Sequence, residues 1–503
     1  MSRPDHEVRD QLQDPSQDTG ARGIIWTDYK ITLEDNSSDL KCFAQNIMNV
    51  RVRNRDLELR QESAADAAVK ADGMFLWIKL LHRQLSRSKS PARLRKIITD
   101  TPSGLDQAYE RDLVSIVNLD VEERDRAVAI LRWTLFAFRP LTVRQLSEAL
   151  LVEFKDDGES DDEERIAKRN YNGLSQAYGE ESGTSDESGS EEVGNYLRLS
   201  EVDVGDDDSL ASEFLKNCGS LIELRGGDRL KAKDRSIHFV HFSVQEYLLR
   251  TADVTLPGLT ELQLSDRYFS HERLAQVNLQ YLIHDDFRQE KNSTREELVA
   301  KKEKYALLEY AGSAWGWHAN CCRPLPESIS KLCNELLDPL NAKWISYSEV
   351  AGGRANGSYA QFIERFRDSY PSPLFYASLW GIVETMQFLI DERQEDVNHV
   401  GGLYGSPLKA AAAHGHEDAV ILLSARGANI DLNGGQFGTA IQPAATQGKV
   451  KIVEILLQHK PHINLKGGWW EETPLTAASK WSNRKASEAI VKQLIIAGAD
   501  ECY

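Results

Sequence analysis

No run of apolar residues reaches the ~18 to 20 positions that a bilayer-crossing helix needs, and the opening Met1-Ser2-Arg3-Pro4-Asp5-His6 has no signal-peptide core. A soluble, cytoplasmic protein is expected. Cysteine is scarce, with six in 503 residues at Cys42, Cys218, Cys321, Cys322, Cys333 and Cys502, and their spacing shows no paired framework. Reduced thiols follow. His318 with Cys321, Cys322 and Cys333 is the one local cluster of metal-ligand residue types. Adjacent cysteines on a helix do not readily face one ion, and no second C-x-x-C follows, so no metal is expected. A phosphate-cradling G-x-x-x-x-G-K-[ST] loop is also missing, because the one Gly-Lys pair, Gly448-Lys449, is followed by Val450. No cofactor and no nucleotide hydrolysis are expected. His238-x-x-His241-x-Ser243 has hydrolase residue types, but no G-x-S-x-G elbow accompanies it, and the chain reads as non-enzymatic.

Positive charge is in deficit too, with a net charge of −18. Most of it lies in one stretch, Asp156 to Asp208, where 18 acidic residues face Arg165, Lys168, Arg169 and Arg198 for a local balance of −14. That stretch is rich in Gly and Ser, too poor in apolar surface to order itself, and reads as a disordered acidic insert over 155–210.

What the chain does have is a repeat. Ser372-Pro373-Leu374, Ser406-Pro407-Leu408, Thr439-Ala440-Ile441 and Thr473-Pro474-Leu475 follow one another at steps of 34, 33 and 34 residues. A period near 33 with this punctuation marks ankyrin repeats, helical hairpins that stack because none buries its apolar face alone. In the second copy Ser406 caps the first helix, Pro407 fits its first turn, and Gly415 and Gly427 end the helices in left-handed residues. Leu408, Val420, Leu422 and Leu423 supply the stacking face, at about 1.5 to 3 kcal/mol per fully buried side chain. The third copy departs from this grammar: Ala440 replaces the proline, Pro443 falls inside the first helix, and Lys460-Pro461 stands where Gly-Ala belongs. Local strain is expected there. The fourth has four extra residues around Trp481-Ser482-Asn483-Arg484, placed in the turn between its helices.

Before the acidic insert, Arg124 to Trp133 has a helical pattern, and Arg139-Pro140-Leu141-Thr142 reads as a turn with Thr142 capping a second helix. After it, Glu213 to Cys218 resumes a helix, Leu221 to Leu224 and Ser236 to Val240 read as strands around Arg225-Gly226-Gly227-Asp228-Arg229, and a helix follows His241. Together these make a winged helix. A DNA reader needs a basic face, whereas only Arg139 and Arg144 lie near this second helix, so no nucleic acid is expected. Residues 251–370 read as a helical linker, with Leu274-Ala275, Leu279, Leu282 and Tyr305-Ala306-Leu307-Leu308 at helical spacing.

In this order the motifs resemble fungal NACHT-ankyrin proteins, STAND-type relatives of NOD-like receptors. Ser2-Arg3-Pro4, Ile31-Thr32-Leu33 and Asp39-Leu40 resemble the close of a NACHT domain. Lys70-Ala71-Asp72-Gly73-Met74-Phe75-Leu76-Trp77-Ile78 and Pro102 to Arg111 resemble the helical segment that follows it. Ile130-Leu131-Arg132-Trp133 through Leu141, and Val240 to Leu248, are similar to that family's winged helix. Tyr310-Ala311, Trp315 and His318-Ala319 resemble its later helical linker, and Gly401 to Gly405 its Gly-Gly hairpins. The resemblance implies a C-terminal NACHT remnant at 1–60, a helical domain at 61–120, a winged-helix domain at 121–250, the linker at 251–370 and about four repeats at 372–503. It also implies that His241, in a role the wider family uses to contact a bound diphosphate, is a latent nucleotide-sensing residue. A histidine packed between strand and helix is the plainer reading of the same position.

Next to Gly-Gly pairs between the repeats stand Leu403, Tyr404, Phe437, Trp469 and Trp470, rigid apolar and aromatic side chains of the kind interface hot spots use. Packing of hairpin on hairpin competes as the explanation for Tyr404 and Phe437. The expectation is therefore a mainly α, multi-domain helical protein with a winged helix and a C-terminal ankyrin-repeat solenoid. It would act as a non-catalytic signalling scaffold that binds a protein partner through those five residues, with no membrane or nucleic acid, and with self-association compatible. The alternatives are a fragment of a STAND signal-transduction NTPase whose nucleotide-binding core is absent, and an ankyrin adaptor that recruits substrates.

Overall fold

A computed structural model describes residues 37–51, 57–71, several positions between 74 and 98, 105–154, 207–226, 230–250, 264–287, 294–341, 343–352, 371–468, 472–479 and 484–500. The chain is mainly helical. It divides into two compact units, one drawn from Met1–Ala127, Leu215–Glu223 and His238–Leu262, the other from Val128–Phe214, Leu224–Ile237 and Gln263–Tyr503.

In the first unit, α1 (Ser37–Arg51) and α2 (Leu57–Ala71) pair. Leu40, Ala44 and Met48 recur every four residues on α1, and Ala64, Ala67, Ala68 and Ala71 line α2, so small residues let the two axes approach. Next come α3 (Leu105–Val117) and the start of α4 (Val121–Phe136). The acidic insert was expected over 155–210; residues 155–206 lie outside the described residues, and from Asp207 the chain is already helical in α6 (Asp207–Asn217), which belongs to the second unit as far as Phe214. The strands β1 (Ile222–Arg225) and β2 (Ser236–Phe239) pair as a two-stranded sheet and lead into α7 (Phe242–Arg250).

In the second unit, α5 (Val143–Glu153) starts at a capping box: Gln145 N–H donates to Thr142 Oγ1 at 3.2 Å and Thr142 N–H to Gln145 Oε1 at 3.1 Å. The helix α8 (Arg267–Ile283) is buried almost all round, with Leu274, Val277, Asn278, Leu279, Tyr281 and Leu282 covered, because α5, α10 (Leu308–Cys321), α11 (Glu327–Leu337) and α12 (Lys343–Gly352) pack on it. Its apolar residues, from Leu274 to Ile283, are covered by those neighbours. Between α8 and α10 lies α9 (Arg295–Lys304). Tyr305 to Leu307 form the turn before α10 rather than part of that helix.

The repeats continue this unit as four hairpins: α13 (Pro373–Trp380) with α14 (Val383–Asp391), α15 (Pro407–His414) with α16 (Glu417–Ala425), α17 (Ile441–Thr446) with α18 (Val450–Gln458), and α19 (Pro474–Ser479) with α20 (Arg484–Ile496). First helices pack on first helices and second on second along the row. Ser372 and Ser406 accept from Phe375 and Lys409 N–H, as N-caps should, and Gly381 and Gly415 end the first helices at φ 65° and 82°. In the third repeat Pro443 costs little, because it sits in the first turn, where no intrahelical hydrogen bond is lost. The strain falls instead on Lys460, at φ 52°, two residues past α18, where the second and fourth repeats place Gly427 at 85° and Gly498 at 93°. The four extra residues of the fourth repeat are not in its turn. Second helices have nine residues in the first three repeats and 13 in α20, so the insertion is one more helical turn. Arg484-Lys485-Ala486 are strong helix formers, and they extend α20 at its start.

Candidate functional site

The turn 401–405 carries Leu403 and Tyr404 to the edge of the second repeat, and 434–438 carries Phe437 to the edge of the third. Gln436 N–H donates to Leu403 O at 3.3 Å, tying one turn to the next. Gly435, at φ 72°, has to be glycine: a Cβ there would lie 2.8 Å from Tyr404 O. The Tyr404 and Phe437 rings are both half-buried and lie parallel, with centroids 5.5 Å apart and planes 14° apart. The packing of hairpin on hairpin is thus present for these two residues, and each keeps part of its ring open. Trp469 and Trp470 lie outside the described residues.

Tyr404 continues to the end of α15. Its ring meets His414 edge-on at 5.4 Å, its hydroxyl is 3.1 Å from His414 Nε2, and the His414 ring lies parallel to that of His416 at 6.1 Å. His416 Nε2 donates to Leu379 O in the preceding repeat at 3.0 Å. Burial, against the opposing pull of the Leu379 carbonyl, and the charges of Arg323 and Lys449 hold the His416 imidazole below its usual range.

Beneath this edge lie two buried polar side chains that the sequence reading did not single out, Lys409 and Gln442. Three residues after each cap stand Phe375, Lys409, Gln442 and Thr476. Lys409, only 1% exposed, donates through Nζ to Gly434 O at 2.8 Å and Gly438 O at 3.1 Å, and burial pushes its amine down to about 8. Gln442, equally buried, accepts from Thr439 N–H at 2.5 Å and donates through Nε2 to Glu472 O. Each reaches into the next hairpin. The common offset from the cap was the signal that would have found them.

His241 is half-buried at the start of α7. Its Nδ1 accepts from Ser243 N–H at 3.2 Å and lies 2.8 Å from Ser243 Oγ, which is in turn 2.8 Å from Tyr109 OH. The ring packs on Phe242 at 4.2 Å. In this arrangement the histidine caps its own helix. Of the cysteines beside His318, Cys322 and Cys333 are buried and Cys321 is exposed. His318 itself bonds elsewhere: its Nδ1 is 2.9 Å from His271 Nδ1 and its Nε2 is 3.3 Å from Tyr310 OH. No helix among the described residues is long and apolar enough to cross a membrane.

The class of protein defined here is a helical one that ends in ankyrin repeats. Residues 408–502 match the family model of ankyrin repeats in 3 copies, and the hairpin of α13 and α14 precedes that match. Over 358 residues the chain is 24% identical to the azaphilone pigments biosynthesis cluster protein L of Monascus ruber, a similarity that covers 68% of this chain and 63% of that relative. The chain thus spans less than two thirds of the relative's length.

Proposed function

We propose that this chain is a non-catalytic cytoplasmic scaffold that recognises a protein partner through the open edge of its ankyrin repeats. The observation that carries the reading is the row of half-open rings, Tyr404 on Phe437, held on stacked hairpins whose backbones are fixed by buried Lys409 and Gln442. Rigid aromatics on a preorganised edge contribute contact area at little entropic cost. Leu403, Trp469 and Trp470 belong to the same edge in this proposal, and self-association through it is compatible. Coupling of recognition to NOD-like signalling is the finer form of the reading, supported by the NACHT-ankyrin resemblance and by the helix and hairpin elements around His241, which we read as a winged helix.

A photo-cross-linking residue at Phe437 in the full chain should capture a discrete partner from native extract, and the same residue at Ile421, exposed on the outer helix α16, should not. Equal capture from both positions, or none from Phe437, overturns the reading.

A further inference from the structure

The row of rings ends beside one cation, Lys449, that has no anion among the described residues. From Phe437 through Tyr404 to His414 and His416, steps of 5.5, 5.4 and 6.1 Å lay four rings along one strip. Lys449, from the turn that opens α18, runs beside it: its Cδ, Cε and Nζ would lie 3.0 to 3.3 Å from a Cβ at Gly415, between the two histidines. Among the described residues the half-buried Lys449 ammonium has no hydrogen bond or ion pair. Its neighbours are committed elsewhere. Arg323 is held by Glu384, at 3.1 Å to both oxygens, and by Gly381 O at 2.7 Å, while Glu417 faces Lys451 at 3.6 Å.

The charges that act on the two imidazoles have one sign. His414 is held below its usual range by burial and then by His416 and Lys449, and His416 by burial and then, against the Leu379 carbonyl, by Arg323 and Lys449. Among the described residues no carboxylate contributes to either shift. In a chain of net charge −18 this is a local reversal of sign beside an aromatic surface.

We propose that this strip receives an acidic peptide segment bearing an aromatic side chain, with its ring on Tyr404 and Phe437 and its carboxylates at Lys449, His414 and His416. The proposal rests on the protein-binding reading above and gives that partner a chemical class. The strip has the length of about five residues of extended chain. Carboxylates beside the histidines raise their affinity for protons, so binding takes up protons and tightens as pH falls.

The test uses the full chain and a random copolymer of glutamate and tyrosine, with a lysine and tyrosine copolymer as control, read by fluorescence anisotropy. The acidic copolymer should bind, more tightly by a factor of roughly three to ten at pH 6 than at pH 8, and Lys449→Glu should weaken it roughly tenfold. The melting temperature should hold in that variant, since Lys449 has no hydrogen bond or ion pair to lose among the described residues; Lys449→Gln should weaken binding less. Equal binding of both copolymers, or binding by Lys449→Glu that matches wild type, overturns the proposal. If the Phe437 cross-link to a partner then survives Lys449→Glu, protein binding stands and only the acidic class has failed; if wild type gives no such cross-link, the protein-binding reading itself has failed.

Discussion

In the repeats, a buried or bridging polar side chain finds its partner about one repeat away, and the next repeat does much the same again. Lys409 reaches 25 and 29 positions ahead, Gln442 30, and Asn398, Asp431 and Asn464 bridge to Asn429, His462 and Asp500 at 31, 31 and 36. In the helical block from Val128 to Gly352, some buried groups find partners much further away, and those links recur at no fixed step. Glu148 accepts from Tyr281 OH at 2.7 Å, Ala306 N–H at 3.0 Å and Leu307 N–H at 2.9 Å, up to 159 positions off, and Phe138 N–H donates to Tyr310 OH 172 positions away. Repeated short links couple each unit only to its neighbours, so damage stays local. Single long links close the block as a whole, and damage there unfolds all of it.

The largest effect should therefore come from Glu148→Ala. It strands the Tyr281 hydroxyl and two backbone N–H groups in a site where Glu148 is 7% exposed. Each buried donor left without its acceptor costs about 1 to 3 kcal/mol, so the three together cost several kcal/mol. Chemical denaturation of the full chain should lose that much, in the transition that reports the block. A loss under about 1 kcal/mol would mean that the long links are not what closes it.

Next in size is a dependence on pH. The pair His271 and His318 shares one proton between Nδ1 atoms 2.9 Å apart, and with Tyr310 OH donating to His318 Nε2 the chain of hydrogen bonds has one direction. Burial lowers both imidazoles, His318 well below its ordinary value, with the charge of Arg267 adding to the effect on His271. The unfolded chain therefore binds more protons than the folded one below about pH 6.5, so stability rises with pH up to there and then levels, at no more than ~1.4 kcal/mol per pH unit and proton. Melting temperature should fall from pH 7 to pH 5, and the fall should shrink in His271→Phe/His318→Leu. An unchanged slope in that variant would assign the dependence to other groups.

Within the repeats the matching experiment is Lys409→Ala, which leaves the carbonyls of Gly434 and Gly438 without their donor. The cost should be about 1 to 3 kcal/mol, and hydrogen exchange should quicken in the second and third repeats while the fourth keeps its protection. Because the folded amine loses its proton near 8 and a free lysine near 10.5, Lys409 disfavours folding less as pH rises across that window, and the variant should lose this rise. Exchange that quickens equally through the fourth repeat would erase the distinction between the two regions.

The same difference in reach decides what could be read before the structure. Ser406, Pro407 and Gly415 act within one helix, so their meaning lies in a window of ten residues, and the repeats were legible from them. The Thr142 cap and the two strands were legible for the same reason. The pairing of His271 with His318 was not, since 47 residues separate them and nothing in either neighbourhood points to the other. His318 instead drew notice for the cysteines near it in sequence, of which Cys333 stands on α11 and Cys322 meets the His318 carbonyl rather than its ring. The four extra residues near Trp481 show the limit of counting: the spacing from Thr473 to Gly498 detects an insertion but not its side, and the helix formers from Arg484 onward place it in α20. Along the proposed binding edge Tyr404 and Phe437 were named from the sequence, but their continuation through His414 to Lys449 joins two repeats and appears only in three dimensions.

The smallest expected effect has the opposite sign. Lys460 holds φ 52° two residues after α18, a left-handed conformation that costs a residue with a Cβ about 1 to 2 kcal/mol. Gly427 and Gly498 show that the backbone at this point of the repeat wants that conformation whatever side chain it carries. Lys460→Gly removes the steric cost but adds freedom to the unfolded chain, which takes back about 0.4 to 1 kcal/mol. The net result should be a gain of up to about 1.6 kcal/mol, seen as a higher denaturation midpoint for the repeats with the block's transition unmoved. If the variant is instead destabilised, Lys460 is stabilising the chain through its side chain, and the third repeat is adapted to its departure from the repeat pattern rather than strained by it.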